Sequence, residues 1–408
     1  MFKLLSYLLL LIITIEFFLY ILVNFLKKDF QWIITQKDEF PFKSDKELKK
    51  FFKNSYSKIT GWDRKKNTQG FEILNQKKTY FNITNKGFRN TPLKKKKSLI
   101  SVFGDSYAFC RYVNDNYTWE ANLEKKMNSC VKNYGVGNFG LDQSFLKYKK
   151  MYLPKVTKLI IFAFVPETIV RINSYWKHYS EFGNKFGFKP FFKLKKNKLI
   201  LKKNILYKNI RLNILKNKIS KIKKEDIFYE KRFRYYMFKF PYIFSYLKSI
   251  TRNNTIFFNI FLFKTLKLLN VKKHKKFYLK AYNRIIKDNI YDANKMYHDE
   301  YFSNHLKKMM ITIDRSVKDK NKKCIFLILP QLHDISFIKT KNRYYNTFFN
   351  QQSFKNKLNI LDTTKYFLIE KKLSKLYLED NYGGHLSKKG NKFVAKHLYK
   401  YIINKKLL

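Results

Sequence analysis

The chain has 408 residues, enough to bury a sizeable core as one large domain or two ordinary ones. It carries 86 Lys plus Arg against 29 Asp plus Glu, a formal charge of +57, yet only eleven of the cations are Arg. The Lys are spread with Asn, Ile, Phe and Tyr through every segment, the pattern of an AT-rich compositional bias rather than of a clustered, Arg-rich nucleic-acid surface, and attraction to anionic lipid or acidic glycan is the expected use of this charge.

Cys110, Cys130 and Cys324 make an odd set without metal-ligand spacing, so they read as small buried hydrophobes rather than a disulfide framework. His178, His274, His298, His305 and His333 show no ligand spacing either, and no metal or organic cofactor is expected.

In chain order, Leu4 to Leu26 is almost wholly apolar and long enough to cross a bilayer as a helix. Lys27-Lys28-Asp29-Phe30 follows in place of a small-residue cleavage site, so residues 1–30 read as an uncleaved single-pass anchor. Glu16 sits in mid-span and reads as tolerated rather than used. Lys27, Lys28, Lys37, Lys43 and Lys46 outnumber Lys3, which by itself would keep the body cytoplasmic. Because Lys is abundant everywhere in the chain, that signal is discounted and the expectation leans to an extracytoplasmic body.

Residues 31–97 form a polar lead-in with the turn-rich pieces Gly61-Trp62-Asp63 and Thr84 to Asn90 and a solvated Lys94 to Lys97 run. A first core segment, 98–178, begins with a buried strand at 98–103 and a helix from 106 to about 128. A strand at Ser129 to Asn133, a Gly-rich turn from Gly135 to Gly140, a helix from Leu141 to Tyr152 and an apolar strand from Lys158 to Val165 complete it. This alternation predicts a parallel sheet with right-handed crossovers. Residues 179–300, rich in Lys, Phe, Tyr and Asn, read as a mainly helical insert or cap. The core resumes over 301–408 with a helix near 301–319, a strand from Lys323 to Leu329 ending in Pro330-Gln331, a short strand at Asn359 to Asp362 and a closing helix from Asn391 to Ile403.

In open parallel sheets, sites form beyond the carboxyl ends of the strands. Ser106 follows the first strand in Gly104-Asp105-Ser106, and His385 lies on a glycine-rich turn before the closing helix. A serine there is a candidate nucleophile and the histidine its base, with Asp380 to fix the imidazole tautomer and Glu379 in reserve. The backbone N–H of Ser106, with another from Gly137 or Asn138, is the candidate oxyanion hole. Glu167, Arg171 and Trp176 are candidate substrate contacts; Trp176 and Tyr179 either stack on a sugar ring or seat the insert on the core.

These blocks, in this order, resemble the SGNH (GDSL-like) hydrolase superfamily of esterases, lipases and carbohydrate O-acyl-modifying enzymes. Gly104-Asp105-Ser106, Asn133 to Gln143 and His385-Leu386-Ser387-Lys388-Lys389-Gly390 carry the likeness, which covers roughly half the chain and is closest over 82–178. Pro166 through Tyr179, with Glu181-Phe182-Gly183-Asn184, also resembles a subgroup associated with surface-polysaccharide loci. The resemblance implies a flavodoxin-like three-layer α/β/α fold, with Ser106 as nucleophile and His385 as base. The implied function is a membrane-anchored esterase or O-acyltransferase on acyl esters of a surface glycan or lipid-linked sugar. The alternative is a catalytically degraded glycan- or lipid-binding protein on the same scaffold. Three departures stand out: Asn138 replaces a usual Gly, and the third block has Glu167 and Thr168 where an Asn is usual. Asp380 lies five residues before the histidine rather than three, with Gly383 and Gly384 as the extra length.

Overall fold

The computed structural model describes residues 2–27, 44–93, 96–180, 186–341, 345–351, 354, 357–380 and 382–408. The Lys28-Asp29-Phe30 flank, Lys37, Lys43, Lys94, Lys95 and Glu181 to Asn184, on which parts of the sequence reading fall, lie outside these residues.

Five parallel strands form the centre: β1 (Ser98–Gly104), β2 (Cys130–Asn133), β3 (Leu159–Phe164), β4 (Lys323–Ile328) and β5 (Ile360–Asp362). Their order across the sheet is β2-β1-β3-β4-β5, the flavodoxin-like order, whose direction reverses between β1 and β3. The strands are buried on both faces, so their sequences read as continuous apolar runs. Alternate side chains feed two cores. Phe103, Ile160, Phe162 and Phe326 pack with Phe145 and Tyr148 of helix Leu141–Lys150 and with Met309 and Ile313 of helix Glu300–Lys318. Val102, Ile161, Ile325 and Leu327 face Trp119 and Leu123 of helix Trp119–Met127 and Val394 and Leu398 of the closing helix Lys388–Asn404. A strand's period of two thus sorts residues between layers.

The single helix expected from 106 to about 128 is three pieces: Ser106–Phe109, a 3-10 turn Asp115–Tyr117 and Trp119–Met127. Arg89, 2% exposed, explains the break. Its guanidinium donates to the carbonyls of Phe109, Cys110 and Val113, which a continuing helix would need as acceptors, and to Asp115. Cys110 and Tyr112 take left-handed backbone (φ 60 and 61), and Thr118 caps the next helix through its hydroxyl. The closing helix likewise begins at Lys388, three residues earlier than its apolar period suggests, because the Ser387 hydroxyl accepts from Gly390 N–H.

The insert is not wholly helical. A hairpin, Phe191–Lys195 with Lys198–Lys202, precedes its helices. Helices Ile250–Leu268 and Lys275–Met296 pack on helix Phe2–Lys27 through a cluster of Leu19, Val23, Leu26, Phe257, Ile260 and Ile285. Glu16 is not merely tolerated: its carboxylate accepts from the backbone N–H groups of Tyr242 and Ile243 at the start of helix Tyr242–Leu247. The lead-in also has more structure than its composition suggested, with an antiparallel hairpin of Thr68–Leu74 and Lys77–Ile83.

Candidate active site

The turn that carries Ser106 is set by close packing of β1 on β3. A side chain at Gly104 would put its Cβ 1.9 Å from the Ala163 carbonyl oxygen, so only glycine lets the strands end side by side here. The next residue, Asp105, locks the turn with both carboxylate oxygens. One accepts from Tyr107 N–H at 2.8 Å, the other from Val165 N–H at 3.0 Å and Arg171 Nη1 at 3.2 Å. Burial pushes this carboxyl's pKa up, opposed by Arg171 and the two N–H donors. Ser106 then opens the one-turn helix Ser106–Phe109 with its hydroxyl at the reversal point of the sheet.

From the far end of the chain, His385 Nε2 lies 2.9 Å from Ser106 Oγ, and His385 Nδ1 lies 2.5 Å from Asp380 Oδ2. Asp380 also accepts from the backbone N–H groups of Tyr382 (2.7 Å), Gly384 (3.1 Å) and His385 (2.8 Å). Burial alone would raise its pKa, but the imidazole and these N–H donors hold it well below the usual carboxylate range. An ionised Oδ2 accepts the Nδ1 proton, which leaves Nε2 with its lone pair toward the serine hydroxyl.

The five-residue spacing from Asp380 is accommodated by Gly383 and Gly384, both at positive φ (90 and 83). This loop is braced from several sides. Leu332 N–H donates to the Gly383 carbonyl at 2.9 Å, Leu378 N–H to the His385 carbonyl at 2.7 Å, and Tyr107 Oη–H to the Gly384 carbonyl. The Tyr107 and Tyr112 rings flank the imidazole at centroid distances of 4.9 and 5.6 Å.

Near the serine, Asn138 stands at φ 65 on the second turn. Among the described residues, neither Ser106 N–H nor Gly137 N–H engages a hydrogen bond. Glu167, where an Asn was the family expectation, is paired: Arg171 Nη2 donates to it at 2.7 Å while Nη1 reaches Asp105 and the Phe139 carbonyl. Both residues line a cavity of about 20 Å³ together with Ser106, His385 and Asn138.

Trp176 does not belong to this site. It is 1% exposed and stacks on Phe188 at 4.9 Å, so it seats the insert and is corrected from substrate contact to core. Tyr179, packed on Tyr229 and Phe233, is core too. Glu379 is exposed, and Asp380 alone of the two reaches the histidine.

Several residues at the site carried no signal in the sequence. Arg111, Ile286, Asn289, Gln331 and Tyr382 line the small cavity. Of these only Gln331, three residues past the end of β4, sits where sheet topology points. A second cavity of about 470 Å³ shares Arg111 and Asn138 with the first and is walled largely by the lead-in.

No family model and no curated protein matches the chain. A solved structure provisionally described as a lipolytic protein of the G-D-S-L family from Desulfitobacterium hafniense DCB-2 aligns at 9% identity and a TM-score of 0.33. That alignment covers 74% of this chain and 98% of the other. A second solved chain aligns at 10% identity and a TM-score of 0.32, covering 76% of this chain and 97% of its own length. Superpositions this loose say nothing about chemistry.

Proposed function

We propose that this protein is a membrane-anchored serine esterase or O-acyltransferase acting on acyl esters of a surface glycan or lipid-linked sugar, with its body extracytoplasmic. The observation that carries the reading is the unbroken hydrogen-bonded line from Ser106 Oγ through His385 to Asp380. Ser106 Oγ attacks the ester carbonyl carbon while its proton passes to His385 Nε2. The tetrahedral oxyanion is held by the N–H groups of Ser106, Gly137 and Asn138. Collapse breaks the ester C–O bond, and the departing alcohol takes the proton from His385. Water or a sugar hydroxyl then attacks the acyl-serine, gives its proton to His385 and frees the acid or the new ester as the serine recovers that proton.

Anchoring is supported by helix Phe2–Lys27, whose outward side chains are apolar and exposed. Beside it the insert exposes Phe240, Phe244, Phe258 and Leu268, extending the same apolar surface.

A fluorophosphonate probe on the full-length chain in detergent is the test. Labelling is expected for the wild type and absent in Ser106→Ala. A folded wild type that stays unlabelled would sink the enzymatic reading and leave a glycan- or lipid-binding protein on this scaffold.

A further inference from the structure

The cavity of about 470 Å³ walled by the lead-in has a volume typical of small-molecule sites. Arg64, Lys65 and Arg111 line it against only two carboxylates, Asp63 and Glu72. Asp63 is already spent: its Oδ1 accepts from Lys147 Nζ, a buried cation outside the lining, and from the Arg64 backbone N–H, both at 2.7 Å. Glu72 alone therefore faces three cations, which leaves an excess of two positive charges around this space.

The two guanidinium groups are held in place with donors to spare. Arg64 comes no closer to Glu72 than 3.7 Å, too far for a hydrogen bond, and its side chain makes none among the described residues. It lies instead over the Phe109 and Phe81 rings, 3.8 and 4.5 Å from their centroids, which fixes the fork. Arg111 gives Nε to Glu72 at 3.0 Å and lies over the Tyr112 and Tyr382 rings at 4.6 and 5.1 Å. Its two terminal nitrogens make no hydrogen bond among the described residues. Burial pushes the Arg64 pKa down to about 10; Glu72 opposes this, and the nearby Arg111 and Arg89 add to the fall. The cations crowd one another around a single carboxylate, a strain that an anion in the cavity relieves.

Planar, preoriented donors of this kind suit phosphate or carboxylate oxygens. A phosphate monoester carries roughly −1.5 to −2 at neutral pH, which matches the excess of two charges. A carboxylate supplies only one. The volume beyond the phosphate accommodates the organic group that bears it.

We infer that the lead-in cavity is a binding site for a phosphate monoester, gripped by Arg64 and Arg111 with the exposed Lys65 at its rim. The site does not depend on the serine-esterase reading, and it makes the lead-in a ligand-binding element in its own right.

Full-length protein in detergent is titrated calorimetrically with methyl phosphate, and with acetate as the carboxylate control. One site per chain is expected, with acetate at least about tenfold weaker. Arg64→Gln should weaken methyl phosphate at least about tenfold. Lys65→Glu, at an exposed position where no packing is lost, should weaken it at least about threefold. Lys198→Glu, at an equally exposed lysine of the insert hairpin, controls for bulk charge and should leave binding unchanged. No heat in the wild type, an affinity unmoved in Arg64→Gln and Lys65→Glu, an equal loss in Lys198→Glu, or acetate bound as tightly overturns the inference.

Competition with dodecyl phosphate in the micelles separates the sources of the ligand. Displacement of methyl phosphate supports the site with a lipid-borne ester, and methyl phosphate that stays bound supports it with a water-soluble one. The readout is heat of binding and needs no turnover at Ser106, so a failed titration and an unlabelled wild type are separate results.

Discussion

Asp380 meets both the imidazole and three backbone N–H groups of its own loop, so two kinds of change there have different consequences. Asp380→Asn keeps an acceptor for the loop but can present an amide N–H to Nδ1, favouring the wrong tautomer. Turnover of 4-nitrophenyl acetate should fall about 10³–10⁴-fold with the melting temperature little changed; a fall under tenfold would remove Asp380 from the proton chemistry. Glu120 is a second residue whose surroundings decide its behaviour. It is fully buried, its Oε2 accepts from the Cys110 thiol at 3.2 Å, and burial pushes its pKa up to about 8. In the unfolded chain it titrates near ~4.3. Between those values the folded state holds the extra proton, so rising pH favours unfolding. Its contribution is therefore complete below the unfolded pKa, declines as pH rises, and levels off above about 8. Melting curves of wild type and Glu120→Gln should diverge from pH 5 to 8, the variant gaining relative to wild type. A difference independent of pH would show that Glu120 does not titrate in this window.

The elements show how one side chain can override a local period. Helical spacing over Trp119, Leu123 and Met127 is real, but Arg89 takes the carbonyls that would have extended the helix back to Ser106. The resulting loop carries Tyr112 to the imidazole edge. Helix Phe2–Lys27 has the opposite history: Glu16, charged within its apolar run, meets the helix-start N–H groups of Tyr242 and Ile243. In Glu16→Ala those N–H groups lose their acceptor, at a cost of about 1–3 kcal/mol for each if buried. Hydrogen exchange in detergent should then show lost protection at residues 242 and 243, with β1 and β3 unaffected. Unchanged exchange at 242 and 243 would mean that helix Phe2–Lys27 and the insert are not latched through Glu16.

At the scale of the whole molecule, the insert connects helix Phe2–Lys27 with the Ser106 site. Helix Lys275–Met296 enters the cluster around helix Phe2–Lys27 through Ala281 and Ile285 and lines the cavity at Ser106 through Ile286 and Asn289. Adjacent residues on a helix point about 100° apart, so a single helix reaches the anchor with one face and the serine with the next. The lead-in closes the other side, and Ser106 and His385 meet at one edge of the sheet. Most of the positive charge is not used in this arrangement. Lys side chains dominate it and are scattered, while the Arg residues at Arg64, Arg89, Arg111 and Arg171 sit on named carboxylates, as a planar fork with fixed donors favours.

Taken alone, the sequence determined the features that are local in the chain. These are the apolar runs of β1, β3 and β4, the strand-to-helix turn at Ser106, the glycine-rich turn before His385 and the long apolar helix at the start. Each is written in a period or spacing that a short stretch of backbone enforces on itself. Tertiary structure decided which carboxylate reaches the histidine, that Trp176 is core, that Arg171 bridges Glu167 and Asp105, and that the lead-in walls a cavity sharing Asn138 with the one at the serine. Those outcomes depend on groups far apart in sequence meeting in a low-dielectric interior, where an unpaired charge or donor is costly. No local pattern records which partner will arrive.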